Sequence, residues 1–251
     1  MTAPRKLAGF GLICFICFAV VSCPARVPFL LVDPSLVKAS GVRDTLWSGS
    51  AAQIDVAGTL LSNTQWNLDL SRLLLGQIGG DIETRWDGGF ASGFMTSSVL
   101  GTIRAKNVDV NLQAAWVAGI TGMPGLDGQV NVVLDKLTVT EQWPRELVGV
   151  IKIANLSSTL LGSGAAGQLG NIKVDFEPAK ENSDAITGII RDEGGPLELN
   201  GTLVLTRPNN YSIDVQLKAR PSASRMLQQN MFVLGSPDSN GAYTFQLAGS
   251  F

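Results

Sequence analysis

Four residue patterns in this chain have types and spacings that could do chemistry. Cys14 and Cys17 form C-x-x-C, the spacing of zinc and dithiol sites. Ser35-Leu36-Val37-Lys38 matches the S-x-x-K of serine–lysine acyl transfer. Asp192-Glu193 beside Gly194-Gly195 puts carboxylates at a turn, as a calcium loop would. Glu141, Glu146, Glu193 and Glu198 could supply the two carboxylates that glycoside hydrolysis needs.

Each pattern lacks a necessary companion. The two thiols lie in an apolar run with no second pair, where thiolates are not favoured. The S-D-N and K-T-G elements that accompany S-x-x-K are missing, so residues 33–41 read as a short helix beside the apolar run. Asp192 and Glu193 lack the ligand alternation of an EF-hand and read as a solvated hairpin turn. Nothing in the sequence pairs the glutamates. The chain has no histidine, which removes the commonest general base and metal ligand. Phosphate-loop, dinucleotide, nucleophile-elbow and zinc-protease motifs are also missing. Trp47, Trp66, Trp86, Trp116 and Trp143 could line a groove, but tryptophans on strands are expected to pack in a core. No catalytic residue, cofactor or metal ligand is assigned. The expectation is a non-enzyme that works by its surfaces.

The elements that would carry such surfaces follow from charge and hydropathy. The chain has 251 residues, 45% of them apolar and 16% charged. Three of its 19 basic residues and none of its 21 acidic ones precede Asp33, so the remainder is five net negative. That balance argues against nucleic acid as a partner. Residues 7–25 are 19 consecutive uncharged positions, close to the ~20 needed to cross a ~30 Å hydrocarbon layer. Arg5 and Lys6 on one side, with Arg26 alone on the other, orient the N-terminus to the cytoplasm. The expected organisation is a cytoplasmic tail (1–6), a transmembrane anchor (7–26), a membrane-proximal connector (27–44) and a periplasmic β-rich domain (45–251). A cleaved signal ending near Ala25 and a lipoprotein signal at Cys23 are the alternatives. The length of the run and its continuation in Phe29-Leu30-Leu31-Val32 favour the uncleaved anchor.

Beyond residue 45 short runs alternate apolar and polar residues, as in Trp66-Asn67-Leu68-Asp69-Leu70 and Ile172-Lys173-Val174-Asp175-Phe176. Period two buries one row and solvates the other. Asp87-Gly88-Gly89, Asn200-Gly201 and Ser239-Asn240-Gly241 supply turn chemistry between such runs. The fold class is therefore mainly β, an antiparallel meander, sandwich or half-barrel-like sheet, with one N-terminal transmembrane helix. A short C-terminal helix is expected over residues 222–234, with Met226, Leu227, Met231 and Leu234 on one side.

The order of certain motifs resembles the type II secretion system protein N family over essentially the whole chain. These are Gly41 with Leu46-Trp47-Ser48-Gly49, then Trp66, Leu126-x-Gly128, and Gly149 before Ile151. Gly194-Gly195-Pro196-Leu197-Glu198-Leu199-x-Gly201, Tyr211, Arg220-Pro221, Leu234-Gly235, Asp238, Gly241 and Leu247-x-Gly249 complete the order. The resemblance implies one inner-membrane crossing, a periplasmic domain and a non-catalytic accessory role beside the secretion apparatus. Its implied partners are the inner-membrane platform and the periplasmic channel. A lipobox-like Cys23 departs from that pattern. Leu46, Trp47, Ser48 and Gly49 are the candidate interaction or structural motif, with Trp47 as plug or contact residue and Gly49 at a bulge or tight turn. The alternative function is a periplasmic scaffold that binds or transports lipid.

Overall fold

Period-two patterning requires long backbone pairing, and the computed structural model has it: fourteen strands among the described residues. Those residues are 3–33, 36–56, 58–116, 125–159, 161–162, 164–178 and 185–250. The chain forms two compact units, Met1–Leu100 and Gly101–Phe251.

The N-terminal unit opens with helix α1 (Ala3–Val21) and the single turn α2 (Val27–Leu31). Then come β1 (Val37–Ser40), β2 (Arg43–Asp44), β3 (Ser48–Val56) and β4 (Thr59–Leu68). A 3-10 turn (Leu70–Leu75), β5 (Gln77–Trp86) and β6 (Gly89–Ser98) close it. Strand order is β1-β3-β4-β5-β6, with β2 also on β3, and these pairings are antiparallel. Ala25, Val42, Ala51 and Ile54 form its buried core, against which Phe29 and Trp66 pack.

The C-terminal unit lays its strands side by side in chain order. They are β7 (Ile103–Gln113), β8 (Leu126–Thr140), β9 (Trp143–Ser158), β10 (Gln168–Phe176) and β11 (Ala185–Asp192). β12 (Leu197–Thr206), β13 (Asn210–Ala219) and β14 (Tyr243–Ser250) follow, with α3 (Arg225–Asn230) between the last two. Val174, Phe176, Ile186, Ile190, Leu199 and Val215 make one core cluster. The expected mainly β, antiparallel fold is thus present in each unit; of the meander, sandwich and half-barrel forms expected, the strand order of the C-terminal unit is the meander.

Three expectations need correction. Within the segment 33–41, expected as a helix, the described residues Val37–Ser40 form a strand: Val37 faces Val56 and Ala39 faces Ile54 across β1–β3, so the alternating side chains extend the ladder instead. The C-terminal helix is shorter than 222–234, because Ser224 caps it by accepting from the Leu227 N–H (3.1 Å) and the last turn tightens to 3-10 at Met231. Leu227 and Met231 are fully buried, but Met226 is 54% exposed and turns away from them. β8 and β9 run 15 and 16 residues, longer than the alternation marked, because register shifts absorb extra residues.

The apolar run at 7–25 is divided by the structure. α1 stops at Val21, and Ala25 lies in the β core, 1% exposed. At 1.5 Å per residue the 19 residues of α1 rise about 28 Å. The side chains described in α1 begin at Phe10. Among the described residues no helix is long and apolar enough to cross a membrane.

Candidate functional site

The motif Leu46-Trp47-Ser48-Gly49 forms the turn that leads into β3, and the chain leaving α1 is bonded to it. Thr45 and Ser48 close the turn: the Thr45 N–H donates to the Ser48 carbonyl (3.1 Å) and the Ser48 N–H to Thr45 Oγ1 (3.1 Å). This closure turns Leu46 and Trp47 outward from β3. Trp47 Nε1 then donates to the Val20 carbonyl (2.7 Å), one of the last acceptors of α1, which also accepts from the Cys23 N–H (3.2 Å). The Leu46 N–H donates to the Cys23 carbonyl (2.8 Å), and the Ala25 N–H to the Asp44 carbonyl (3.1 Å). Three bonds therefore tie residues 20–25 to residues 44–47.

Trp66, opposite Gly49 on β4, completes the knot. Its Nε1 donates to the Leu46 carbonyl (2.9 Å), and its ring lies tilted against Phe29 at 6.3 Å between centroids. A methyl group on Gly49 would stand 2.7 Å from the Trp66 ring and 2.6 Å from the Thr45 carbonyl oxygen. Close approach of ring and backbone, not a bulge, is what Gly49 permits. Trp47 itself is half-buried; with Leu46, Cys23, Val20, Ala19, Ile16 and Phe15 it lines an open apolar cleft of about 420 Å³.

The second motif, Gly194-Gly195-Pro196-Leu197, forms the β11–β12 turn and is held by Asp192 and Arg220. Arg220 Nη2 donates to Asp192 Oδ1 (2.6 Å), while its Nη1 donates to the carbonyls of Gly195 (3.0 Å) and Leu197 (2.8 Å). Asp192 also accepts from the backbone N–H groups of Gly194 and Leu199 (both 3.1 Å). Burial pushes the Asp192 carboxyl up. Hydrogen bonds from Arg220, Leu199 and Gly194 outweigh that, and its pKa ends below the ordinary carboxylate value. Its side chain is only 14% exposed, so the expected solvated turn is instead a closed ion pair. Gly194 and Gly195 have φ of 96° and 129°, which only glycine adopts cheaply. A methyl on Gly195 would meet Gly170 Cα at 2.7 Å, so two backbones touch there. Leu197, 2% exposed, anchors the turn to Leu161, Ala223, Leu227 and Met231.

Gly201 and Tyr211 belong to the adjoining ladder. A side chain on Gly201 would collide with the Asp214 carbonyl of β13, and Tyr211 lays its ring over Gly249 of β14. Trp66 over Gly49 and Phe176 over Gly188 repeat this arrangement of an aromatic ring across from a glycine. Sequence reasoning did not find Asp192–Arg220 or the Val20 carbonyl. The Arg220-Pro221 dipeptide beside an acidic glycine turn was the available signal for the first.

Lys38 is exposed on β1, and Ser35 lies outside the described residues. Glu146 pairs with Lys136 (2.8 Å) and Glu141 with Arg145 (3.7 Å); Glu193 and Glu198 are exposed. Among the described residues no group of three or more cysteines and carboxylates is placed to hold a metal ion. Of the tryptophans expected in the core, Trp143 is 4% exposed whereas Trp116 is 43% exposed.

Fold and motifs together define an antiparallel β scaffold whose distinctive residues bind backbone to backbone. The type II secretion system (T2SS) protein N family model matches residues 35–246, and the chain belongs to that family. It is 28% identical to the type II secretion system protein N of Vibrio cholerae serotype O1, over 98% of this chain and 99% of that protein. It is 25% identical to the protein of the same name from Aeromonas hydrophila, over 97% of each. No solved structure matches it.

Proposed function

We propose that this protein is a non-catalytic structural component of the type II secretion machinery, held in the inner membrane by α1 with both β units in the periplasm. The observation that carries the reading is the knot at Trp47. An apolar helix leads into it, and the β unit grips the end of that helix through the Trp47–Val20 and Leu46–Cys23 bonds. Exposed Phe10, Leu12, Phe15, Ile16, Phe18, Val20 and Val21 give α1 an apolar surface that only lipid or an apolar partner would cover. Cleavage at Cys23 or Ala25 would remove the acceptor of Trp47, which supports an uncleaved anchor over either processed form. Arg5 and Lys6 orient the tail to the cytoplasm.

In this reading the periplasmic surfaces dock on the inner-membrane platform or the periplasmic channel. The test is in-cell photo-crosslinking from exposed strand positions of each unit, with mass spectrometry of captured proteins and lipids and of the chain's N-terminus. Position-specific capture of secretion subunits by a chain whose N-terminus is intact is expected. Stoichiometric phospholipid or lipopolysaccharide, without any secretion subunit, would replace this reading with a lipid scaffold.

A further inference from the structure

The N-terminal unit has two ends, and they differ in chemistry. β3 starts at Ser48 beside the exit of α1, and β4 returns to that end: Ser48 faces Asn67, and the Leu68 N–H donates to the Trp47 carbonyl (2.5 Å). The 3-10 turn Leu70–Leu75 therefore stands at the helix-exit end. β5 leaves it and β6 comes back, with Gln77 facing Ser98. The Val99 N–H donates to the Gly76 carbonyl (3.2 Å), which joins the two connections at this end. Neighbouring strands are about 5 Å apart, so β6 lies about 10 Å from β4.

Both connections at the helix-exit end are tipped with bare apolar side chains. Leu74 is 90% exposed, Leu75 73%, Val99 86% and Leu100 88%, with Ile78 beside them at 54%. The opposite turns carry Asp55 bonded to the Gly58 N–H (2.9 Å) and the exposed Asp87-Gly88 pair. Apolar residues near those turns, Leu36, Val56 and Leu60, are covered to a greater degree, at 61%, 40% and 49% exposure. Four large side chains left this open on two adjacent turns form a patch that water alone does not favour.

We propose that Leu74, Leu75, Val99 and Leu100 insert into the surface of the same bilayer that holds α1, as a second membrane contact beside the helix. The proposal rests on the reading of α1 as an anchor. Continuity selects lipid as the occupant: the patch shares its end of the sheet with an apolar helix and the apolar cleft at Trp47, and the polar turns point to the opposite end. Arg72, on the same 3-10 turn, packs its guanidinium over Phe94 and pairs with Asp69, a partly exposed cation at headgroup level. Two contacts to one membrane would fix the tilt of the β unit, which one helix cannot do.

The test uses the full chain with Cys14, Cys17 and Cys23 replaced by serine, in vesicles of phosphatidylethanolamine and phosphatidylglycerol with brominated acyl chains. A fluorescent thiol label is placed in turn at Phe15, Leu74, Leu100 and Asp87, each changed to cysteine. Labels at Phe15, Leu74 and Leu100 should lose emission relative to unbrominated vesicles, and the label at Asp87 should not. A Leu75→Asp/Val99→Asp variant, changed only at exposed positions, should keep its strand circular dichroism and lose the quenching at Leu74 and Leu100. Quenching at Phe15 with tip labels behaving like Asp87 overturns the tip contact and leaves the anchor standing. An unquenched Phe15 overturns both. Tip labels shielded from bromolipid and from aqueous iodide alike mean that a protein covers the patch, which also overturns the proposal.

Discussion

Trp47 and Arg220 do comparable work by different means, since each donates to backbone carbonyls at a helix end or a turn. Trp47→Phe keeps most of the ring and removes only the Nε1 donor to Val20. A single neutral hydrogen bond contributes about 1 kcal/mol, so a loss of that order is expected in denaturation of the detergent-solubilised chain. Hydrogen exchange at the Leu46 amide should quicken in parallel, because its bond to Cys23 belongs to the same knot. Arg220 serves two carbonyls and one carboxylate, so Arg220→Ala should cost more, about 2–3 kcal/mol. Arg220→Lys recovers only part of this, because an ammonium cannot fork across three acceptors. The pair also sets an acid limit. The folded state holds the Asp192 carboxyl below its unfolded value near 3.9, so its contribution is complete above that value. It is lost as pH falls through the lowered folded-state value. Asp192→Asn should therefore lower stability at neutral pH and flatten the decline measured by denaturation between about pH 5 and pH 2. A residual slope is expected. Hydrogen bonds from Ser71 also lower Asp69, and the Ala242 and Asn240 N–H groups lower Asp238.

At the scale of elements, glycine opposite an aromatic ring is the recurring device. Gly249→Ala on β14 should destabilise, because the new methyl would stand 2.7–2.9 Å from the Tyr211 hydroxyl and ring. Removing the ring should relieve that collision, so Gly249→Ala is expected to cost less in a Tyr211→Ala background. The double-mutant cycle should return a coupling of about 1 kcal/mol or more, the range for residues in contact. Near-additive costs would mean that the ring does not rest on Gly249. The strands were legible wherever alternation was unbroken, as in Ile172 to Phe176, since period two reports directly on a half-buried ladder. Their true lengths were not. Asn63 and Asn155 take φ of 49° and 53°, beside register shifts inside strands that continue past them. A bulged asparagine shifts the alternation by one, so a continuous strand reads as two. Glu141 and Gln142, at 55° and 62°, form a hairpin turn without glycine, which turn chemistry does not flag. The candidate motifs could be picked out by residue type, but their partners could not. The acceptor of Trp47 is a backbone carbonyl 27 residues earlier, and Asp192 meets an arginine 28 residues later. Side-chain patterns carry no information about which carbonyl lies within reach.

At the scale of the whole molecule, the question is whether surfaces or reactive groups carry the function of this secretion-system family member. The carboxylates available for hydrolysis are Glu141, Glu146, Glu193 and Glu198. Glu146 is committed to Lys136 at 2.8 Å, and both members of the pair are partly exposed. Surface pairs of that kind contribute about 0–1 kcal/mol, so neutralising it should leave the fold intact. Glu141, Glu193 and Glu198 are exposed, so none sits in the dry, enclosed setting that acid–base catalysis favours. A chain carrying Glu→Gln at all four positions should fold and restore secretion to a deletion strain as well as the original does, measured as exoprotein in the medium. The Arg220→Ala chain is the informative contrast. It changes no group that could act on a substrate, yet it loosens the turn that seats Leu197 against Leu227 and Met231. If the protein works as a scaffold, exoprotein yield should fall with the stability of that turn and be indifferent to the glutamates. If instead the folded four-glutamine chain fails to secrete while the Arg220→Ala chain succeeds, acid–base chemistry returns as the better account and the scaffold reading is wrong.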